Sequence, residues 1–236
     1  MVEKFDPTRQ PLHDAMSAFQ SADERVWFEN KLLKCRQKLR DLPREASNFQ
    51  RAQLELEIAE ALIGLNRLEE AWSCARPLVE LFIAEQKFEH AVKACRVLYQ
   101  ANQEDSIVAL GQGCWLAVTY PVDPGLSIEM LHNIVDETPE QSDGAAVAAM
   151  AAHYIADVRA KEQHENLTFL TMQILAKVAK RHRGIEDEES IRMWIEILEL
   201  NDTDKLFNRL ATIVDVMTGD SWWFDRDHLR AQLPVN

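Results

Sequence analysis

Five stretches of the chain carry residue types whose spacing could do chemistry. In SIEMLH, residues 127–132, Glu129 and His132 stand three apart, which on a helix turns both side chains toward one inter-helical site. A di-iron bundle needs that pair twice, plus two further carboxylates from facing helices, and the sequence holds no second copy. His153 lies between Ala152 and Tyr154 in an alanine-rich run, placed either as a general base or as a hydrogen-bonded core histidine; no Ser, Cys or Asp pattern beside it completes a nucleophilic triad. The GQG of residues 111–113 follows no strand and so lacks the setting of a phosphate-binding loop.

The other two stretches suit binding. KLLKCRQKLRDLPR, residues 31–44, sets Lys31, Lys34, Arg36, Lys38, Arg40 and Arg44 against Asp41 alone. Arg36 and Arg40 share a helix face and Arg44 extends it past Pro43, an array able to grip carboxylates or a phosphorylated ligand through bidentate guanidinium contacts. The alternative is a solvated helix face. Near the end, GDSWWFDRDHLRAQL places Trp222, Trp223 and Phe224 in succession. Three consecutive aromatics cannot all point inward from one short segment, so at least one is expected near the surface as an interface anchor. The alternative is a tail folded back to seal the last hairpin.

Composition limits what those residues can serve. The chain has 236 residues, 47% of them hydrophobic, enough for a real core, and its richness in Ala, Leu, Glu, Gln and Arg favours helices. A net charge of −13 repels a phosphate backbone and argues against general nucleic-acid binding. No apolar run approaches the roughly 20 residues of a membrane span, and MVEKFDPTRQ has no signal core, so the expected location is the cytoplasm. Cys35, Cys74, Cys95 and Cys114 stand singly, read as small buried hydrophobes in a reducing compartment. No cofactor is called for.

The elements that must position these residues are helices. One is expected over 23–42, capped by Asp23 and stopped by Pro43. Leu54, Ile58, Ala61, Leu62 and Leu65 mark the apolar face of the next, which Asn66 ends in the left-handed conformation; LEEAW then opens another. A helix over 104–118 contains Gly111 and Gly113, each costing about 1 kcal/mol against alanine unless close packing compensates. TYPVDPG, residues 119–125, is a turn or a domain boundary. Beyond it the alanine-rich helix around 144–159 is expected to be central, Gly184 and Gly219 to stop helices, and Leu206, Leu210, Ile213 and Met217 to form one apolar stripe.

RLEEAWSCARPLV, residues 67–79, is echoed twenty residues on by KFEHAVKACRVLY, residues 87–99. Leu68 aligns with Phe88, Ala71 with Ala91, Ala75 with Cys95, Arg76 with Arg96 and Leu78 with Leu98. With IAEALIGLNRLEEA, this resembles the tetratricopeptide repeat over about residues 52–101, at Ile58, Ala59, Leu62, Leu68, Glu69, Glu70 and Ala71. Asn66 replaces that repeat's turn glycine, its terminal proline is missing, and the step is one helix plus a turn rather than about 34 residues. The resemblance implies antiparallel helical hairpins stacked as a TPR-like α-solenoid with a peptide-binding groove and no catalysis.

The expected architecture is therefore all-α, with roughly ten helices: a TPR-like repeat region over 1–121 and a C-terminal helical region over 122–236, the alternative being that the two are continuous as one domain. The leading functional expectation is a non-catalytic scaffold, adaptor or assembly factor. It would bind another protein with an acidic segment through Arg36, Arg40, Arg44, Trp222, Trp223 and Phe224. A helical-bundle enzyme or metal protein using Glu129 and His132, and a self-associating structural protein, are the alternatives.

Overall fold

The computed structural model describes residues 10–140 and 142–233, with the backbone alone for 10–21. Among these residues the chain is helical throughout, without a strand: α1 (Gln10–Arg40), α2 (Asn48–Gly64), α3 (Leu68–Ala75), α4 (Leu78–Ala84), α5 (Phe88–Gln100), α6 (Ser106–Thr119), α7 (Pro124–Glu137), α8 (Gly144–Arg159), α9 (His164–Arg183), α10 (Glu188–Ile197), α11 (Thr203–Thr218) and α12 (Arg226–Ala231). None of them is long and apolar enough to cross a membrane.

Local chemistry accounts for most boundaries. Ser47 and Gln50 form a reciprocal capping box at α2. Aspartates at 123, 187, 202 and 225 accept a backbone N–H three residues on, opening α7, α10, α11 and α12. Asp23 does not act this way. The helix expected from 23 is part of α1, which is described from Gln10: Pro11 falls in the first turn, where proline is tolerated, no breaker follows within the helix, and α1 ends at Arg40, shortly before Pro43.

The twenty-residue echo has a structural counterpart at its turns. After α2, Asn66 takes φ 56°, its N–H bonds to Ile63 O and that of Arg67 to Leu62 O. After α4, Gln86 takes φ 54° and repeats the pattern with Ile83 O and, from Lys87, Phe82 O. Both are Schellman turns in which a residue other than glycine carries the left-handed conformation. The two copies diverge at Pro77, which breaks the first into α3 and α4, whereas the second runs on as α5. Gln86→Gly is expected to raise the unfolding free energy by about 0.5–1 kcal/mol, measured by urea denaturation, because glycine removes the Cβ penalty at positive φ.

Packing follows chain order. Consecutive helices lie against one another from α1 to α9, while α2, α5, α7 and α9 also touch across the intervening helices. α11 then turns back and packs on α6 and α8, which a stack growing in one direction would not do. A single buried cluster runs from Leu32 in α1 to Leu229 in α12, crossing the 119–125 turn. α8 is central: Ala145, Ala146, Ala148, Ala149, Ala151 and Ala152 are all buried, a smooth surface on which α7, α9 and α11 approach closely. The stripe on α11 is rotated slightly from expectation, with Leu206, Leu210, Val214 and Thr218 fully buried and Ile213 and Met217 partly so.

Candidate functional site

Glu129 and His132 do not converge on a common point. The Glu129 carboxylate, on α7, receives Arg96 Nη1 of α5 at 3.1 Å, while Arg96 Nη2 reaches Glu60 of α2 at 3.0 Å and Glu60 also takes Lys31 of α1 at 3.2 Å. This alternating row ties four helices together. His132 instead lies 3.9 Å from Asp136, one turn on, with its Nδ1 buried and unpaired, beside a small crevice of about 140 Å³ that Lys177 and Arg181 of α9 also line. No group of three or more His, Cys, Asp or Glu side chains is placed to hold a metal among the described residues.

His153 is a structural group by its contacts. Its Nδ1 is 3.0 Å from Thr171 Oγ1, whose own proton goes to the carbonyl of Leu167 at 2.8 Å or of Thr168 at 3.0 Å. The ring therefore donates from Nδ1, the hydroxyl having a single proton to give. Burial is the main cause holding the imidazole below its usual pKa, with Asp157 opposing and His164 assisting. The unfolded chain takes up the proton first as pH falls, so this contribution is whole above pH 6.5 and is lost on acidification below it. His153→Gln is expected to flatten the loss of stability between pH 7 and pH 5, read from denaturation midpoints at each pH.

The thiols are similarly occupied. Cys74 donates to Glu55 O and Cys114 to Met130 O, and burial pushes Cys74 up to about 11 and Cys95 up to about 12, far from a reactive thiolate. GQG is a packing device. Gly111 faces Thr218 and Met217 of α11, Gly113 faces Met130 of α7 and Cys95 of α5, and the fully buried Gln112 donates to Ser221 O and accepts from Trp223 N–H.

That clamp seats the aromatic run. Trp223 meets Trp72 edge-on at 6.2 Å and is covered by the Arg76 guanidinium 3.9 Å above its ring. Trp222 and Phe224 flank Trp115 at 5.9 and 5.8 Å, and Arg226 sits 4.6 Å over Trp222. All three of Trp222, Trp223 and Phe224 are half-buried rather than one projecting freely. An extended segment gives successive side chains different directions, and here each direction meets a helix of the body.

The basic array presents a different surface. Arg25 pairs with Glu29 and Lys31 with Glu60, but Lys34, Arg36, Lys38, Arg40 and Arg44 form no ion pair among the described residues. Arg36 is half-buried beside Glu69 and Glu70 of α3, whereas Arg40 and Arg44 are exposed. At 100° per residue, Phe28, Leu32, Cys35 and Leu39 point to α2, and Val26 and Leu33 point the opposite way. Those two are 55% and 64% exposed, between Arg40 on one flank and Lys34 on the other. Their i, i+7 spacing was available in the sequence, but apolar pattern alone does not say which of two stripes is covered. A second apolar surface was also missed: a shallow groove of about 420 Å³ between α9 and α10, lined by Phe169, Met172, Ala176, Ile191 and Ile195, with Glu188 paired to Arg192 and Glu186 paired to Lys180 at its polar edge. No family model, curated protein or solved structure matches the chain.

Proposed function

We propose that the chain is a protein-binding helical-repeat module, a degenerate relative of the tetratricopeptide solenoid, acting as a scaffold, adaptor or assembly factor. Its outward face on α1 takes an acidic segment of a protein partner. The observation that carries this reading is the set of α1 cations without ion pairs beside exposed Val26 and Leu33, in a protein whose net charge is −13. Unpaired guanidinium groups next to exposed apolar side chains combine steering with an area to bury. The repeated Schellman turns at Asn66 and Gln86 support the repeat assignment. Four free cysteines, three of them buried, support a reducing cytoplasmic setting.

The test is affinity capture of the tagged chain from its native host's soluble extract, followed by titration of the recovered partner. Arg36→Glu/Arg40→Glu is expected to weaken binding by roughly tenfold or more and to reduce its salt dependence. Because Arg36 sits beside Glu69 and Glu70, Arg40→Glu/Arg44→Glu serves as the variant that leaves that packing alone. Unchanged affinity in both variants defeats the assignment of this face.

A further inference from the structure

A cleft of about 420 Å³ lies where the end of α7 and the start of α8 meet α6 and α11. Its lining runs from the fully buried Ile134 to Val216, which is 80% exposed, with Ile107, Ile213 and Met217 between them. That volume and that apolar lining are those of small-molecule sites. The polar groups around the cleft are hydrogen-bond acceptors. Glu137 is the only charged side chain lining it among the described residues. The Tyr99 hydroxyl donates to Glu137 Oε1 at 2.7 Å, which fixes the carboxylate and leaves Oε2 without a partner among those residues. Thr138 and Thr212 spend their hydroxyl protons on helix carbonyls, Ile134 O at 2.6 Å and Asn208 O at 3.1 Å, so each oxygen offers lone pairs alone. Ser142 Oγ takes the Gly144 N–H at 3.3 Å, covering an amide at the start of α8.

The nearby cations are engaged elsewhere. Arg183 pairs with Asp143, Arg226 with Asp215 and Arg209 with Glu199, while Arg181 reaches Val135 O on the α9 side of α7. The last turn of α7 holds Asp136 and Glu137 and no base. Acids at the carbonyl end of a helix add to the negative end of its dipole, an arrangement that a cation in the cleft would offset.

We infer that this cleft binds a small organic cation, a primary ammonium carried on an apolar body. An ammonium has three N–H donors and no acceptor, which matches a carboxylate oxygen and two hydroxyl oxygens that can only accept. The apolar body covers Ile107, Ile213 and Val216. An anionic ligand would meet Glu137 with no cation in the lining to hold it. The cleft shares no residue with the α1 face, so this site stands or falls apart from the proposed function.

Titration of the full chain with phenethylammonium at neutral pH and moderate salt, followed by amide NMR, tests this. Phenethyl alcohol and hydrocinnamate serve as the neutral and anionic counterparts of similar size. The ammonium is expected to shift the amides of Gly144 and Ile213 and to bind at least about tenfold more tightly than either counterpart. Glu137→Gln should weaken it by about tenfold. Glu140→Gln removes the same charge from an exposed side chain outside the lining and should leave the affinity unchanged. Val216→Lys, which tethers an ammonium at the cleft, should abolish binding. All three substituted side chains are exposed, so denaturation midpoints should match the wild type and show that each variant is folded. Failure of phenethylammonium to bind overturns the inference, as does equal binding of the three compounds or full affinity in Glu137→Gln. Equal losses in Glu137→Gln and Glu140→Gln would overturn it too, since the attraction would then be to the net charge of −13 and not to the cleft.

Discussion

Gly113→Val should lower the unfolding free energy by about 3 kcal/mol, moving the thermal midpoint down by about 6–12 °C. A Cβ at this position falls 2.5 Å from Met130 Cε and 2.7 Å from Cys95 Cβ. The methionine methyl is the end of a flexible chain and can swing away, but the cysteine Cβ is fixed to the α5 backbone, so α5 and α6 must separate. Valine adds two methyl groups to that wedge in a region where Cys95, Cys114 and Met130 are completely buried. The gain in helix propensity from losing a glycine, about 1 kcal/mol, is too small to offset it. Thermal and urea denaturation followed by circular dichroism measure the change. Wild-type stability in Gly113→Val would mean that α5 and α6 do not approach as described.

Arg159→Met should cost a comparable amount, about 3 kcal/mol. From the end of α8 this guanidinium donates to three carbonyls at the end of α6, Ala117 O at 2.7 Å, Tyr120 O at 3.0 Å and Val118 O. The carbonyl end of a helix carries partial negative charge, which a cation stabilises, and three acceptors share one rigid donor fork. Methionine keeps most of the volume and leaves those carbonyls without their donor. Burial holds this arginine below its ordinary pKa, a consequence of the same enclosure, yet it stays charged at neutral pH. Arg159→Lys is expected to recover only part of the loss, since an ammonium cannot span three divergent carbonyls. Hydrogen exchange at the 119–125 turn provides the second readout: faster exchange there in Arg159→Met, with α2 to α5 unchanged, is the expected pattern.

The turn at 119–125 also shows where reading the chain linearly stops. Two prolines and a glycine mark a break, and a turn is present, but whether it separates bodies depends on what crosses it. Arg159, Ser127 and Gly113 all bridge its two sides, through Ala117 O in the first two cases and through Met130 in the third. Asn66 was legible as a left-handed helix stop because asparagine tolerates that conformation, whereas Gln86 and Glu199 adopt it at φ 54° and 53° without a chemical signature. Asp23 misled for the converse reason. An aspartate is a good cap only where the helix has cause to begin, and α1 already runs through it.

By itself the sequence determined the all-helical class, the helix stops at Asn66, Gly184 and Gly219, the small faces of α6 and α8, and the unusual basicity of α1. Each of these depends on residues within a turn or two of one another, where helix geometry alone fixes who meets whom. Only the tertiary structure decided that Glu129 belongs to Arg96 rather than to His132, that Gln112 clasps residues 221 and 223, and that α11 returns to α6 and α8. It also decided which of two apolar stripes on α1 stays uncovered. Those outcomes follow from how far each helix runs, how each connection turns and which small residues allow close approach, sums over many residues that no single spacing records.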